Sequence, residues 1–113
     1  IRAANSPPAS APLWSGNYTL DQGTSYQIIA EGLLDEAGFE PFIPFDLAVY
    51  VNARQSAMIT GNTDMLIHHG STDAPAVTIT ADDTVMATNL AYGNFAGYFE
   101  VPSQNIVVGV LDA

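Results

Sequence analysis

The sequence predicts an all-β fold, an antiparallel β-sandwich of the Ig-like kind. Three observations carry that prediction. Apolar residues alternate with polar ones or come in short runs, and few stretches have a helical period. Turn residues interrupt the chain at intervals of about eight to twelve positions, the rhythm of sandwich and barrel strands. The length, 113 residues with 48% apolar, suits one domain with its own core.

Taken in order, residues 6–12 read as a linker or long loop, because Pro7, Pro8 and Pro12 each lack a backbone donor. Residues 13–20 read as a first strand, with Trp14 as a core or rim aromatic. Asp21-Gln22-Gly23 is a turn into a second strand over 25–32, where alternation puts Tyr26, Ile28 and Ala30 on the inward face. Residues 35–44 carry Gly38, Pro41 and Pro44 and read as a loop. A strand follows over 45–52, then a polar, small-residue connection over 53–62. Further strands are expected at 64–69, 76–80, 84–90, 97–101 and 105–111. Asp82-Asp83 is a hairpin tip and Pro102-Ser103-Gln104 the last turn. Ile106, Val107, Val108 and Val110 make the last strand apolar on both faces, which suits a strand covered on both sides.

Composition narrows function. Twelve acids face only Arg2 and Arg54, for a net charge of −10. Such a surface repels phosphate, so no nucleic-acid partner is expected. No apolar run approaches the roughly 20 residues of a membrane helix, so no membrane insertion is expected. The absence of cysteine removes disulfides, thiolate metal sites and cysteine nucleophiles. The opening ten residues hold no apolar signal-peptide region, and a processed secreted chain would read the same. Scarce basic residues with abundant Thr, Ser, Asn and Gly lean toward an extracellular or cell-surface protein.

The second half carries a resemblance. His69-Gly70-Ser71-Thr72-Asp73-Ala74-Pro75-Ala76-Val77-Thr78-Ile79, followed by Tyr92-Gly93-Asn94-Phe95-Ala96-Gly97-Tyr98-Phe99-Glu100-Val101-Pro102, is similar to the opening half of domain-of-unknown-function family 4397. Thr72 stands where that family usually has proline, and Thr78 where it has aspartate. Residues 18–32 resemble a strand–turn–strand near the end of the same domain, with 46–51 as its last strand. The resemblance implies a chain out of phase with its folding unit. Residues 1–57 would be the closing half of one repeat and 58–113 the opening half of the next. Three accounts fit: permuted closure within the chain, completion by a neighbouring chain, or an excerpt of a longer repeat protein.

The side chains that could carry chemistry are few. His68 and His69 are adjacent, so on a strand they face opposite ways and do not share a metal. The expectation is one in a hydrogen bond and the other in solvent. His69, Ser71 and Asp73 are too close in sequence for a catalytic triad. With Pro75 they form the signature turn, in which Ser71 and Asp73 accept backbone N–H groups. Weak Ca²⁺ candidates are Asp82 with Asp83, and Asp35 and Glu36 with Glu40, without any known calcium-loop pattern. No resident cofactor is expected. Asn17-Tyr18-Thr19 matches a glycosylation sequon.

These readings converge on a non-enzymatic structural or adhesive module of the cell surface. It joins head to tail with copies of itself, in a tandem array or a filament, by strand pairing. Ile28, Val49, Ile106, Val107, Val108 and Val110 are its expected packing residues. The alternative is a carbohydrate- or Ca²⁺-binding module using Trp14, Tyr50, Tyr92, Tyr98 or the acid clusters.

Overall fold

The computed structural model describes residues 1–36 and 38–113. They form seven strands: β1 (Tyr26–Glu31), β2 (Asp46–Val51), β3 (Asn62–His68), β4 (Val77–Ala81), β5 (Thr84–Leu90), β6 (Phe95–Pro102) and β7 (Val108–Asp112). No helix occurs among the described residues. The fold is all-β, as its alternation predicts. The strands make three antiparallel sheets, a β1–β2 hairpin, a β3–β6 ribbon and a three-stranded sheet in the order β5-β4-β7.

Turn chemistry explains the boundaries. Asp82 and Asp83 both have positive φ, 47° and 63°. That is the mirror-image two-residue turn that matches strand twist, and it favours Asp, Asn and Gly. It closes β4 onto β5, with Ala81 opposite Thr84. In the ribbon, Met65 pairs with Phe99 and Ile67 with Ala96, so Leu66 faces two residues, Gly97 and Tyr98. This is a β-bulge. Gly97 sits there at φ 124°, and a Cβ on it would lie 2.6 Å from the Met65 carbonyl oxygen. Beyond the hairpin, Leu33 N–H donates to Ile43 O and Phe45 N–H to Leu33 O. These two bonds close the loop between β1 and β2.

The ribbon packs face to face on the three-stranded sheet, in a sandwich-like pair of layers. Val77, Ile79 and Leu90 are buried there, with Ile67 and Ala96 of the ribbon packed against them. Each such burial contributes about 2 kcal/mol. The hairpin lies on the opposite face of the ribbon as a third layer. It joins neither of the other two sheets by a ladder.

Three expectations are corrected. Residues 13–20 form no strand. Their alternation has no ladder partner, and Trp14 instead packs edge-on against Phe45 with ring centroids 5.5 Å apart. The last strand starts at Val108 rather than 105, because Asp82 captures Val107: Val107 N–H donates to Asp82 Oδ1 and Asp82 N–H to Val107 O. The hairpin's alternation is real but its sense is reversed. Pairing puts Tyr26, Ile28 and Ala30 on one face with Val51, Val49 and Leu47, and that face turns outward. Ile28 is 48% and Val51 50% exposed. The inner face carries Gln27, Ile29 and Glu31 with Tyr50, Ala48 and Asp46. The hairpin thus lays its more polar face on its own chain.

The result is an open molecule. Its accessible surface is 7739 Å², against about 5,900 Å² for a compact chain of this mass. Its radius of gyration is 17.1 Å, against about 13 Å.

Candidate functional site

Two places combine unusual chemistry with unusual exposure. One is the seam between hairpin and ribbon. The other is the signature turn and the β7 border beside it.

The seam is built by alternation. Asp64, Leu66 and His68 share the face of β3 that looks toward the hairpin, and Phe95 and Tyr98 of β6 join them. Together with Gln27, Ile29 and residues 54–57 they line a cavity of about 550 Å³. His68 Nε2 lies 2.7 Å from Glu31 Oε2, and both side chains are at least nine-tenths buried. Arg54 spans the seam. Its Nε is 3.3 Å from Asp64 Oδ2, its guanidinium lies 4.6 Å over the Tyr98 ring, and its N–H donates to the Tyr98 hydroxyl. The Tyr50 hydroxyl donates to Gly97 O, and Tyr50 meets both Phe95 and Tyr98 ring to ring. Ile59 N–H donates to Glu100 Oε1. The hairpin is therefore joined by side chains rather than by a ladder. Asp64 Oδ1 and His68 Nδ1 are buried here without a hydrogen-bond partner.

Glu31, Arg54, Asp64 and His68 were not singled out as a group by sequence reasoning. A signal existed for one of them. A lone arginine in the middle of so acidic a chain must find a carboxylate, and Asp64 and His68 are spaced to share a strand face.

At the signature turn, His69 is buried, 6% exposed. Ser71 N–H donates to His69 Nδ1, so the ring hydrogen sits on Nε2 and is donated to the Pro75 carbonyl. His69 O accepts from Gly93 N–H, and His69 N–H donates to Asn94 O. One imidazole thus closes the 69–75 loop while its backbone ties that loop to the start of β6. Two expectations change here. Neither histidine is in solvent, because His68 packs against Glu31 in the seam and His69 is held by Ser71 N–H and the Pro75 carbonyl. Ser71 and Asp73 bond each other, Ser71 Oγ donating to Asp73 Oδ1 at 2.8 Å, and the loop is closed by His69. The Ser71 hydroxyl points to Asp73, not to an imidazole. Residues 63–113 match the family described as Domain of unknown function (DUF4397). No curated protein and no solved structure matches the chain.

The matched segment, residues 63–113, also holds the β7 border. Val77, Ile79 and Leu90 are covered by the ribbon, but Val108 and Val110, on the same face, are 51% and 64% exposed. A shallow trough of about 200 Å³ runs there between Ile67, His69, Ile79 and Val110. Of the other expected packing residues, Val107 is 74% exposed, and Ile106 and Val49 are half-buried.

The remaining candidates stay apart. No group of three or more His, Asp or Glu is placed to hold a metal ion among the described residues. Asp82 is engaged with Val107, while Asp35, Glu36 and Glu40 lie on the exposed β1–β2 loop. Asn17 is exposed. Trp14 sits by Phe45, Tyr50 and Tyr98 lie in the seam, and Tyr92 stands edge-on to His69. Burial first, then the Glu31 and Asp46 carboxylates, hold the Tyr92 phenol above its ordinary value.

Proposed function

We propose that this chain is a structural module of the cell exterior that joins copies of itself end to end through strand pairing. One observation carries the reading. The chain exposes about 1,800 Å² more surface than a compact chain of its mass, and much of that surface is apolar strand. Ile28, Val51, Val108, Val110 and Leu111 are each about half exposed or more. Exposed strands of this kind act as templates for pairing with another chain. The acidic exterior fits the same reading, since a net charge of −10 keeps assembled units soluble and laterally apart. The half-repeat organisation, 1–57 and 58–113, belongs to this proposal. Each opening half then finds a closing half on a neighbour.

Light scattering across a concentration series tests the reading. The expected result is a ladder of masses in multiples of 11.9 kDa that lengthens with concentration. A particle fixed at one chain mass at every concentration overturns it.

A second reading is a binding module for hydroxyl-rich ligands such as carbohydrate, housed in the seam cavity. It is favoured by buried polar atoms at Asp64 and His68 that lack hydrogen-bond partners. A neutral glycan that raises the melting temperature of wild type and not of Asp64→Asn supports it. An equal or absent shift in both removes it. Calcium chloride, added in the same assay, tests the acid clusters.

A further inference from the structure

We infer that the β1–β2 hairpin of a second copy docks beside the free edge of β3, with its outer apolar face over Val108 and Val110 of β7. This rests on the end-to-end reading above and names its interface.

The two packed layers are unequal. Three strands, β5-β4-β7, face a ribbon of two. β6 lies alongside β5, and Ile67 of β3 covers Val77, Ile79 and Leu90. Val108 and Val110 of β7 are left 51% and 64% exposed. The inner face of that strand, Val108 and Val110, continues the buried surface of β4 beyond the ribbon's margin. The sandwich therefore lacks a strand at one position, next to β3 and opposite β7. The outer edge of β3 carries no ladder, so its backbone groups are free to receive one.

The chain itself displays an element of the required kind. The β1–β2 hairpin has an apolar outer face, Ile28, Val49 and Val51 with Leu47 and Ala30, and both of its edges are unladdered. Its strands have six residues each and β3 has seven, so a ladder could run the length of the slot. The hairpin cannot use this face at home, where its other face already holds Glu31 to His68 and Tyr50 to Phe95. Donor and acceptor are thus different surfaces of one chain. Such a contact is heterologous and repeats from copy to copy. The area agrees. Each copy would cover one donor and one acceptor face, each about 800 Å² at standard interface size. Together these approach the excess of about 1,800 Å² over a compact chain.

The test uses two variants that block opposite ends. Ile28→Lys puts a charge on the donor face, and Val110→Lys puts one on the acceptor face. Both positions are about half exposed or more in the single chain, and circular dichroism checks that each variant folds. Val85→Lys, at the far border of the same sheet and 55% exposed, is the control. By sedimentation velocity each blocking variant should associate at least about tenfold more weakly than wild type, and Val85→Lys should associate as wild type does. Mixing Ile28→Lys with Val110→Lys leaves one intact donor and one intact acceptor. The mixture should therefore stop at twice 11.9 kDa.

If wild type assembles and the blocking variants assemble equally well, the interface is wrong and the end-to-end reading survives. If wild type itself stops at a pair, the contact is symmetric and the head-to-tail slot is overturned. If wild type stays a single chain throughout, both readings fall.

Discussion

The β1–β2 hairpin and the β5-β4-β7 sheet are built from similar alternating sequence, yet they treat water oppositely. The sheet turns Val77, Ile79 and Leu90 inward and brings the exposure of each below a tenth. The hairpin turns Ile28 and Val51 outward and commits Glu31 and Tyr50 to its own chain. Period two says that a strand has two unlike faces. It does not say which face the rest of the chain will cover. That choice is made by the partners on offer, and here the ribbon offers His68, Asp64 and Tyr98, which suit a polar face.

The sharpest way to break this contrast is to truncate one residue in each region. Ile79→Ala should cost about 3 kcal/mol in urea unfolding, through lost burial and the cavity left behind. Ile28→Ala, measured where the protein is dilute, should cost less than about 1 kcal/mol. Equal losses would mean that the hairpin's outer face is covered within the single chain.

Next in size is His69→Leu. It removes the group that satisfies both Ser71 N–H and the Pro75 carbonyl, at a cost of about 2 kcal/mol. Amide exchange at Ser71, Gly93 and Asn94 should quicken while the hairpin amides hold. Unchanged exchange at those three positions would show that the 69–75 loop closes without the imidazole.

Glu31→Gln probes the other region. It weakens the 2.7 Å contact with His68 and should cost about 1 kcal/mol. Exchange should quicken across β1 and β2 and leave β4 unchanged. Loss of protection in β4 as well would show that the layers unfold as one cooperative unit rather than two.

The smallest effect is a titration. The Tyr92 phenol is held above its ordinary value of 10.0, by burial and then by Glu31 and Asp46. The fold therefore favours the neutral phenol. That contribution to stability is complete below about pH 10 and is lost as pH rises through the raised value. Ultraviolet titration should find Tyr92 as a late-ionising tyrosine, and Glu31→Gln should bring its midpoint down. A midpoint that does not move would exclude the carboxylate as a cause.

Much of the fold was legible in the sequence because turns are local. The Asp82-Asp83 tip, the Asp21-Gln22-Gly23 turn and seven of the strands follow from residue types within a few positions of one another. The strand expected at 13–20 failed because a strand needs a partner, and its alternation names none. Position 107 was read as strand because Asp82, twenty-five residues away, is invisible to any local pattern. The seam was hidden for the same reason. Glu31, Arg54, Asp64 and Tyr98 come from four segments, and only the third dimension gathers them. The resemblance located the His69–Pro75 loop, but not the hydrogen bonds that shut it.

The extra residue in β6 decides how these layers meet. Phe95 looks toward the hairpin and Ala96 toward the buried sheet; strict alternation would then send Tyr98 the way of Ala96. Because Leu66 faces both Gly97 and Tyr98, the strand skips a beat, and Tyr98 turns back to lie under Arg54 and beside Tyr50. Were Gly97 and Tyr98 each to take a place of their own in a regular ladder, every aromatic would remain and Tyr98 would be aimed the wrong way. The hairpin would lose its clamp though no side chain had been removed.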